Sequence, residues 1–368
     1  MKILQVNKLY FPWIGGVETA VQDIAEHFHG RDGWIVQNLA CVPKGSRLED
    51  SVNGVPICRA GSSGMALGMP LSIDFFVQFR KRVQDADLVF LHHPFPLAFM
   101  AYWIFGRKKR VVVWYHSDIV RQKTLAKIFN PFLFFTLRRA GHIFVSNRTL
   151  VGTSKILQRF SEKCRVIYFG VDAEKFAETE SVKRRADEIK RRFGTPLLLS
   201  VGRLVYYKGF SYLIDAMKGV DANLLIVGDG VLKSELLEKI EKEGLSARIT
   251  IIDPVDDLVA YYHACDVFVL PSCEPSEVFG IVQIEAMACG KPVVNTALPT
   301  GVPEVSESGK TGITVPPKNS EALRSAIKRL VEDESLRILY GHAAKRLVSE
   351  RYTKKTFFEK LEMFLGKN

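Results

Sequence analysis

Along the chain, short continuous apolar runs alternate with stretches whose apolar residues recur every three or four positions. In the first half the short runs are KILQV (2–6), IVQNLA (35–40), DLVFLH (87–92), RVVVWYH (110–116), HIFV (142–145) and RVIYF (165–169). In the second half they are PLLLSVG (196–202), NLLIVG (223–228), RITII (248–252), VFVLPS (267–272) and KPVVNT (291–296). Runs this short, rich in β-branched residues, read as strands buried on both faces, and 208–218, 230–243 and 279–289 between them read as helices. Buried strands spaced by helices predict a parallel sheet with helices on each side. The alternation occurs twice. Its seam lies near YFGVDAEKF (168–176), a charged stretch (180–192) follows, and residues 319–366 read as a helical tail. The expected fold class is α/β, with two doubly wound domains over residues 1–170 and 171–350.

The composition supports two cores, since 47% of the 368 residues are hydrophobic. Six cysteines are scattered among apolar neighbours with no CxxC pair, which fits a reduced, cytoplasmic protein without a zinc site. MKILQV runs straight into a strand pattern, so no signal peptide is expected. The longest apolar run, residues 94–106, falls short of the roughly 18–20 residues a membrane-spanning helix needs. The net charge of +11 is unevenly placed: residues 1–170 hold 23 Lys and Arg against 11 Asp and Glu, and the remainder is close to balanced. Such asymmetry points to an anionic partner on the first half, either a membrane surface, a phosphorylated substrate or nucleic acid. The basic half carries no recognised nucleic-acid motif, and that class is set aside.

Ligands of doubly wound sheets bind beyond the carboxyl ends of the strands, so polar residues just after strands are the candidates. After the first strand, Gly15 and Gly16 precede a helix whose amides can approach negative charge. After the strand at 110–114 come His116 and Asp118. After the strand at 196–201, Arg203 and Lys208 bracket a short loop and could clamp a diphosphate; a solvated basic loop is the plain alternative. After the strand at 267–271 comes EPSEVFGIVQIEAMACGKPVV (274–294). There Glu277 precedes a helix opened by Phe279, Gly280 and Ile281, and Glu285 sits within that nearly apolar helix. A carboxylate so placed needs a partner. Either Glu277 caps the helix and Glu285 bonds backbone, or the two acids hold a polar ligand.

GGVE near the start, a mid-domain histidine, GR…KG, and two glutamates eight residues apart followed by AMACGKPVV together resemble the retaining GT-B glycosyltransferases of the family 4 type. NLLIVGDG, ACDVFVLPS, SGKTGITVPP and the helical tail extend the resemblance over the whole chain, and NTALPTGVPEV resembles bacterial O-antigen and capsule mannosyltransferases. The resemblance implies two Rossmann-like domains facing across a cleft, acceptor-binding and nucleotide-sugar-binding in chain order, with a C-terminal helix (351–368) packing back towards the first. It implies that Glu285 holds the ribose hydroxyls, with helix backbone as a supplement, and that Glu277 binds donor-sugar hydroxyls. Arg203 and Lys208 would neutralise the leaving diphosphate. Gly16, Gly202 and the amides of Phe279, Gly280 and Ile281 would contact donor phosphate or sugar, and His116 would face the anomeric carbon. The seam YFGVD departs from the family's proline-asparagine-glycine turn.

The implied reaction transfers a hexose, best read as mannose from GDP-mannose, to a lipid-linked or polysaccharide acceptor in surface-glycan assembly. No cofactor or metal is expected, because cations and helix N-termini can stabilise the diphosphate. The DxD at Asp85 and Asp87 precedes its strand and reads as a helix-to-strand turn. An epimerase or phosphorylase on the same fold, or a non-catalytic sugar-nucleotide sensor docked on a membrane, are the competing readings. Two segments, 94–110 and 121–142, mix apolar and basic residues; Pro131 should kink or split the second. They are either core helices with solvated ends or a face, with Phe132, Phe134 and Phe135, for the anionic inner surface of the cytoplasmic membrane.

Overall fold

The computed structural model describes residues 1–13, 15–118 and 123–366, and for 123–128 the backbone alone. It divides into two compact units, Met1–Ile167 with Lys360–Asn368, and Tyr168–Glu359. The first unit is built on an eight-stranded sheet. Its strands, in chain order, are β1 (Lys2–Val6), β2 (Ile35–Cys41), β3 (Leu48–Val52), β4 (Val55–Ala60), then β7 (Leu88–His93), β8 (Arg110–Tyr115), β9 (Ile143–Val145) and β10 (Cys164–Val166); β5 (Met65–Ala66) and β6 (Met69–Pro70) form a separate hairpin. The order across the sheet is β10-β9-β8-β7-β1-β2-β4-β3, and every pairing is parallel except that of β3 with β4. Strands β2 and β7 flank β1 on opposite sides, so the sheet reverses its winding between β1 and β7. One core packs Leu4, Val89, Leu91, Val113 and Tyr115 against Phe75, Phe79, Phe99 and Leu137.

The second unit holds β11 (Leu197–Val201), β12 (Asn223–Val227), β13 (Ile249–Ile252), β14 (Val267–Val269), β15 (Val293–Thr296) and β16 (Gly312–Val315). All are parallel, in the order β13-β12-β11-β14-β15-β16, with the reversal between β11 and β14. Leu198, Leu213, Ile226, Val269, Val294, Leu323 and Ile327 fill its core. The seam segment is fastened within this unit. Val171 N–H donates to Tyr352 O at 2.8 Å and Lys354 N–H to Val171 O at 3.0 Å. A Cβ at Gly170 would overlap the carbonyl of Thr353, so this close approach requires glycine. The final helix, Lys354–Leu365, ends in the first unit, where Leu361 and Leu365 are buried and Glu362 meets His27 at 2.8 Å.

Of the two mixed apolar and basic segments the first is chiefly core, and the described part of the second is anchored in the core along one face. In 94–106, Phe95, Ala98, Phe99, Ala101 and Tyr102 are fully buried, and Ile104 is exposed. The second segment is one helix, Lys123–Arg139, that contains Pro131 without being split. Leu133 and Leu137, four residues apart, anchor it in the core while Pro131 faces outward. Phe132 and Phe134 pack half-buried on the core and only Phe135, of the three phenylalanines expected at a surface, is exposed. Arg121 and Gln122, and the side chains of Leu125 and Ile128, lie outside the described residues. No helix of the described residues is long and apolar enough to cross a membrane.

Candidate active site

In the second unit, the winding reversal places the loops after β11 and β14 side by side. The chain leaves β11 at Gly202, makes a 3-10 turn at Tyr206–Lys208 and enters the helix Phe210–Ala216 through Gly209. Gly209 has φ +70°, and a Cβ there would overlap the carbonyl oxygen of Pro271. The two loops are thus packed backbone on backbone, and Cys273 N–H donates to Tyr207 O at 2.8 Å across the same joint. This packing drives Lys208 inward.

Lys208 is 9% exposed, and its Nζ lies 2.6 Å from Glu277 Oε2. Glu277, 8% exposed, also accepts from Ser272 Oγ at 2.9 Å. Glu277 therefore does not cap the helix; it is a buried acid answered by a buried cation from the neighbouring loop. The pairing sets the two cations of the expected clamp in different surroundings. Arg203 is exposed and donates to Tyr207 OH at 3.2 Å, whereas the charge on Lys208 is already countered. Gly202 is close to the same lysine, since a Cβ on it would come within 3.2 Å of Lys208 Nζ.

Three residues beyond Glu277, Gly280 (φ +72°) opens the helix Ile281–Ala288. Phe279 is buried among Tyr168, Phe169 and Tyr352, so it can offer a ligand only its backbone. Beneath this turn the Gln283 amide donates to Phe279 O (3.1 Å) and accepts from Asn295 Nδ2 (2.8 Å), and Asn295 accepts from Thr314 Oγ1 (2.7 Å). These buried amides fix where the helix begins. Further along, Glu285 accepts from Tyr262 OH at 2.6 Å. Burial holds the Glu285 carboxyl above its ordinary value, partly offset by that bond. The backbone partner expected for Glu285 is replaced by tyrosine. Amides in the middle of a helix are already committed to carbonyls four residues back, so a carboxylate there must find its donor on another element.

In the first unit, His116 follows β8 and is 4% exposed. Its N–H donates to His93 O at 3.1 Å and its Nε2 lies 3.0 Å from His92 Nδ1. The rings of His92, Trp114 and His116 stack within 14° of parallel. Burial pushes His116 well below the usual histidine range, His92 to about 3 and His93 to about 4, so all three are neutral near pH 7. Asp118 accepts from Tyr115 OH and from Ser154 Oγ, which makes it a brace for the strand end. Gly16 begins the helix Gly16–Phe28, and the Glu18 carboxylate lies against Gly15 at that N-terminus. Asp85 and Asp87 form the turn between the helix Asp74–Val83 and β7, with Asp87 accepting from Lys2 N–H at 2.8 Å. No group of His, Cys, Asp and Glu among the described residues could hold a metal ion.

The predicted residues fall into two sets. Arg203, Lys208, Glu277, Gly280 and Glu285 stand at the winding reversal of the second unit, and Gly16 and His116 stand in the first. Ser272, Tyr262, His92, Gln283 and Asn295 were not foreseen. Polar residues inside otherwise apolar runs, such as Asn295 in KPVVNT and His92 in DLVFLH, were the signal available for two of them.

Residues 14–175 match the Glycosyltransferase Family 4 model and residues 183–347 match Glycosyl transferases group 1. The chain is 31% identical to the D-rhamnosyltransferase WbpZ of Pseudomonas aeruginosa, covering 90% of this chain and 87% of that protein. It is 27% identical to the O-antigen chain mannosyltransferase C of Escherichia coli, covering 96% and 95%. The crystal structure of Anabaena Alr3699/HepE in complex with UDP shares the fold, with a TM-score of 0.83 over 100% of both chains at 22% identity. WaaG, a glycosyltransferase involved in lipopolysaccharide biosynthesis, does so with a TM-score of 0.72 over 99% of this chain and 100% of its own at 16% identity. The chain belongs to the group 1 and family 4 glycosyltransferases and has the GT-B fold.

Proposed function

We propose that the protein transfers a hexose, mannose from GDP-mannose, to a lipid-linked or polysaccharide acceptor in O-antigen or capsule assembly, with retention of the anomeric configuration. The observation that carries the reading is the buried Lys208–Glu277 pair at the winding reversal, with Glu285 eight residues further on. Relatives named for rhamnosyl and mannosyl transfer support the sugar class. In this reading Glu285 holds ribose hydroxyls, Glu277 accepts from donor-sugar hydroxyls, and Lys208, Arg203, Gly202 and the Gly280–Ile281 amides meet the diphosphate. Gly16 and the Phe279 amide complete the donor contacts, and neutral His116 serves the donor sugar near its anomeric carbon.

The bond from the anomeric carbon to the diphosphate oxygen breaks as the acceptor oxygen bonds the same face of that carbon. The acceptor's proton passes to the leaving phosphate. Preorganised cations and amides stabilise the leaving charge, with no metal or other cofactor. The basic first unit works at the anionic inner face of the cytoplasmic membrane, where a diphosphate-linked acceptor would lie.

The test is mass spectrometry of products from GDP-, UDP- and dTDP-sugars with lipid-linked acceptors, followed by NMR of the new linkage. GDP-mannose should be consumed only when acceptor is present, with an α product. Isomerised sugar nucleotide without acceptor would make the protein an epimerase, and no turnover with any pair would make it a sensor.

A further inference from the structure

Two polar side chains meet where the helices Val259–Ala264 and Ile281–Ala288 of the second unit pack together. Tyr262 is fully buried, and its OH donates to Glu285 Oε2 at 2.6 Å. Its ring lies against Phe268 of β14 and Phe176 of the seam, with centroids 5.8 Å and 6.2 Å away. The thiols of Cys265 and Cys289 stand nearby, and burial keeps both neutral by pushing them up. Phenylalanine would fill these surroundings as well as tyrosine does, so the hydroxyl is explained by Glu285 and not by packing. The fold alone does not require the pair. Exchanging both members of a buried hydrogen bond for apolar groups of similar shape is nearly neutral. What the pair does for a ligand is the better account.

The two residues stand in different surroundings. Tyr262 has no exposed surface, whereas Glu285 is partly exposed. The phenol thus holds the acid from the protein side. Among the described residues it is the carboxylate's single donor. A carboxylate offers about four acceptor sites, so those beyond the one that tyrosine takes are left for donors arriving from outside. Burial raises the phenol well above its ordinary value, and Tyr262 stays a donor through the neutral range. A donor favours the ionised acid, which offsets part of the rise that burial imposes on Glu285. One bond therefore keeps negative charge on a largely enclosed acid and restrains the direction in which that acid points.

We propose that Tyr262 is a positioning residue for the donor nucleotide: it aims the Glu285 carboxylate so that the ribose 2′- and 3′-hydroxyls both find acceptors, and thereby selects ribonucleoside over 2′-deoxyribonucleoside diphosphate sugars. This rests on the ribose assignment of Glu285 in the proposed function and names the residue that makes it selective. An acid free to turn could answer a deoxyribose by swinging to water. An acid held by tyrosine cannot, so a missing hydroxyl leaves a desolvated acceptor beside the ligand. Sites built to hydrogen-bond a hydroxyl discriminate against the analogue lacking it for this reason. Thymidine diphosphate sugars, whose nucleoside is 2′-deoxy, fall in the rejected class.

The test uses the full-length protein and titration calorimetry with GDP, UDP and the 2′-deoxy form of each. Wild type should bind the better ribonucleotide about tenfold or more tightly than its deoxy form. Tyr262→Phe should weaken ribonucleotide binding about tenfold and leave the deoxynucleotide within about twofold, so that the ratio collapses towards one. In the Glu285→Gln background the tyrosine holds the amide oxygen and leaves the amide nitrogen to face the ribose. There Tyr262→Phe should strengthen ribonucleotide binding several-fold, because it frees that oxygen to accept from the sugar. The double variant buries no charge, so it carries the test where Tyr262→Phe alone strands the carboxylate and fails to fold. Equal weakening of both nucleotides by Tyr262→Phe, or an unchanged ratio, would reduce Tyr262 to packing. Further loss in the Glu285→Gln background would do the same. A wild type that binds both forms equally would instead defeat the ribose assignment of Glu285, and no binding of any of the four would defeat the donor reading itself.

Discussion

Replacing Glu285 with glutamine separates what this acid does for the fold from what it does for a ligand. Tyr262 donates to Glu285 Oε2 at 2.6 Å, and burial holds the carboxyl above its ordinary 4.5. A carboxyl whose pKa is raised by folding binds its proton more tightly in the native chain than in the unfolded one. Its stabilising contribution is complete below 4.5 and is lost as pH rises through the higher native value. Glutamine can still accept from Tyr262 and carries no charge. Glu285→Gln should therefore be more stable than wild type near neutral pH by about 1 kcal/mol, the usual cost of one imperfectly compensated buried polar group. That advantage should shrink as pH falls to 4.5 and below. Ligand binding should move the other way. Hydrogen bonds to a charged acceptor contribute about 1.5–3 kcal/mol, so the dissociation constant of the nucleoside diphosphate should rise roughly 10- to 150-fold. Urea denaturation across pH and titration calorimetry with the nucleotide alone give both numbers. An unchanged dissociation constant would refute the ribose assignment, and a stability difference independent of pH would refute the role given to burial.

Glu277→Gln should cut turnover by about 100-fold or more, yet leave nucleoside diphosphate binding equal or tighter; weaker binding in calorimetry would contradict its assignment to the sugar. Gly209→Ala should destabilise the second unit by about 2 kcal/mol or more, since it combines positive φ with overlap on the Pro271 carbonyl, and a melting temperature within a degree of wild type would disprove that packing. Turnover should survive EDTA, whereas complete loss restored by manganese would bring Asp85 and Asp87 back into consideration. His92→Phe should leave the donor KM within about twofold but lower kcat about tenfold or more. Nitrogen-15 NMR should then show His116 losing its single tautomer, because the 3.0 Å contact from His92 Nδ1 to His116 Nε2 lets only one of the two nitrogens carry the proton.

The chain displays its buried parallel strands openly, because a strand covered on both faces must be apolar throughout. Strands under other constraints were not legible. β3, LEDSV, is an exposed edge; β4, VPICRA, includes a proline and Arg59; β16 begins at Gly312. The two-residue strands β5 and β6 are shorter than any periodicity can register. That the candidate residues after β11 and β14 come together was legible for a topological reason, since whatever follows those strands must meet at the reversal between them. Their partners were not. That Lys208 answers Glu277, or Tyr262 answers Glu285, depends on contacts between loops and helices distant in sequence. A bare pair of cations in GRLVYYKG therefore read as a clamp, whereas the packing of Gly209 on Pro271 turns one of them inward to an acid.

That inward turn changes how the site can treat a diphosphate. A buried acid or cation left alone is costly, and together they relieve each other, so the chain can hold both without a ligand. The cost appears when the ligand arrives. A diphosphate that wants Lys208 competes with Glu277, which is 2.6 Å away. In the proposed roles sugar hydroxyls would reverse that competition, because they would donate to Glu277 and occupy the acceptor sites that the lysine shares. An intact nucleotide sugar satisfies both members of the pair, whereas the nucleoside diphosphate that remains after transfer satisfies only the cation. In the proposed roles the ion pair would favour the donor over the spent product by electrostatic complement alone, and re-forming it as the sugar departs would assist release of the nucleotide. Removing the acid's charge takes away that competition, which is why Glu277→Gln is expected to impair transfer without weakening its grip on the product.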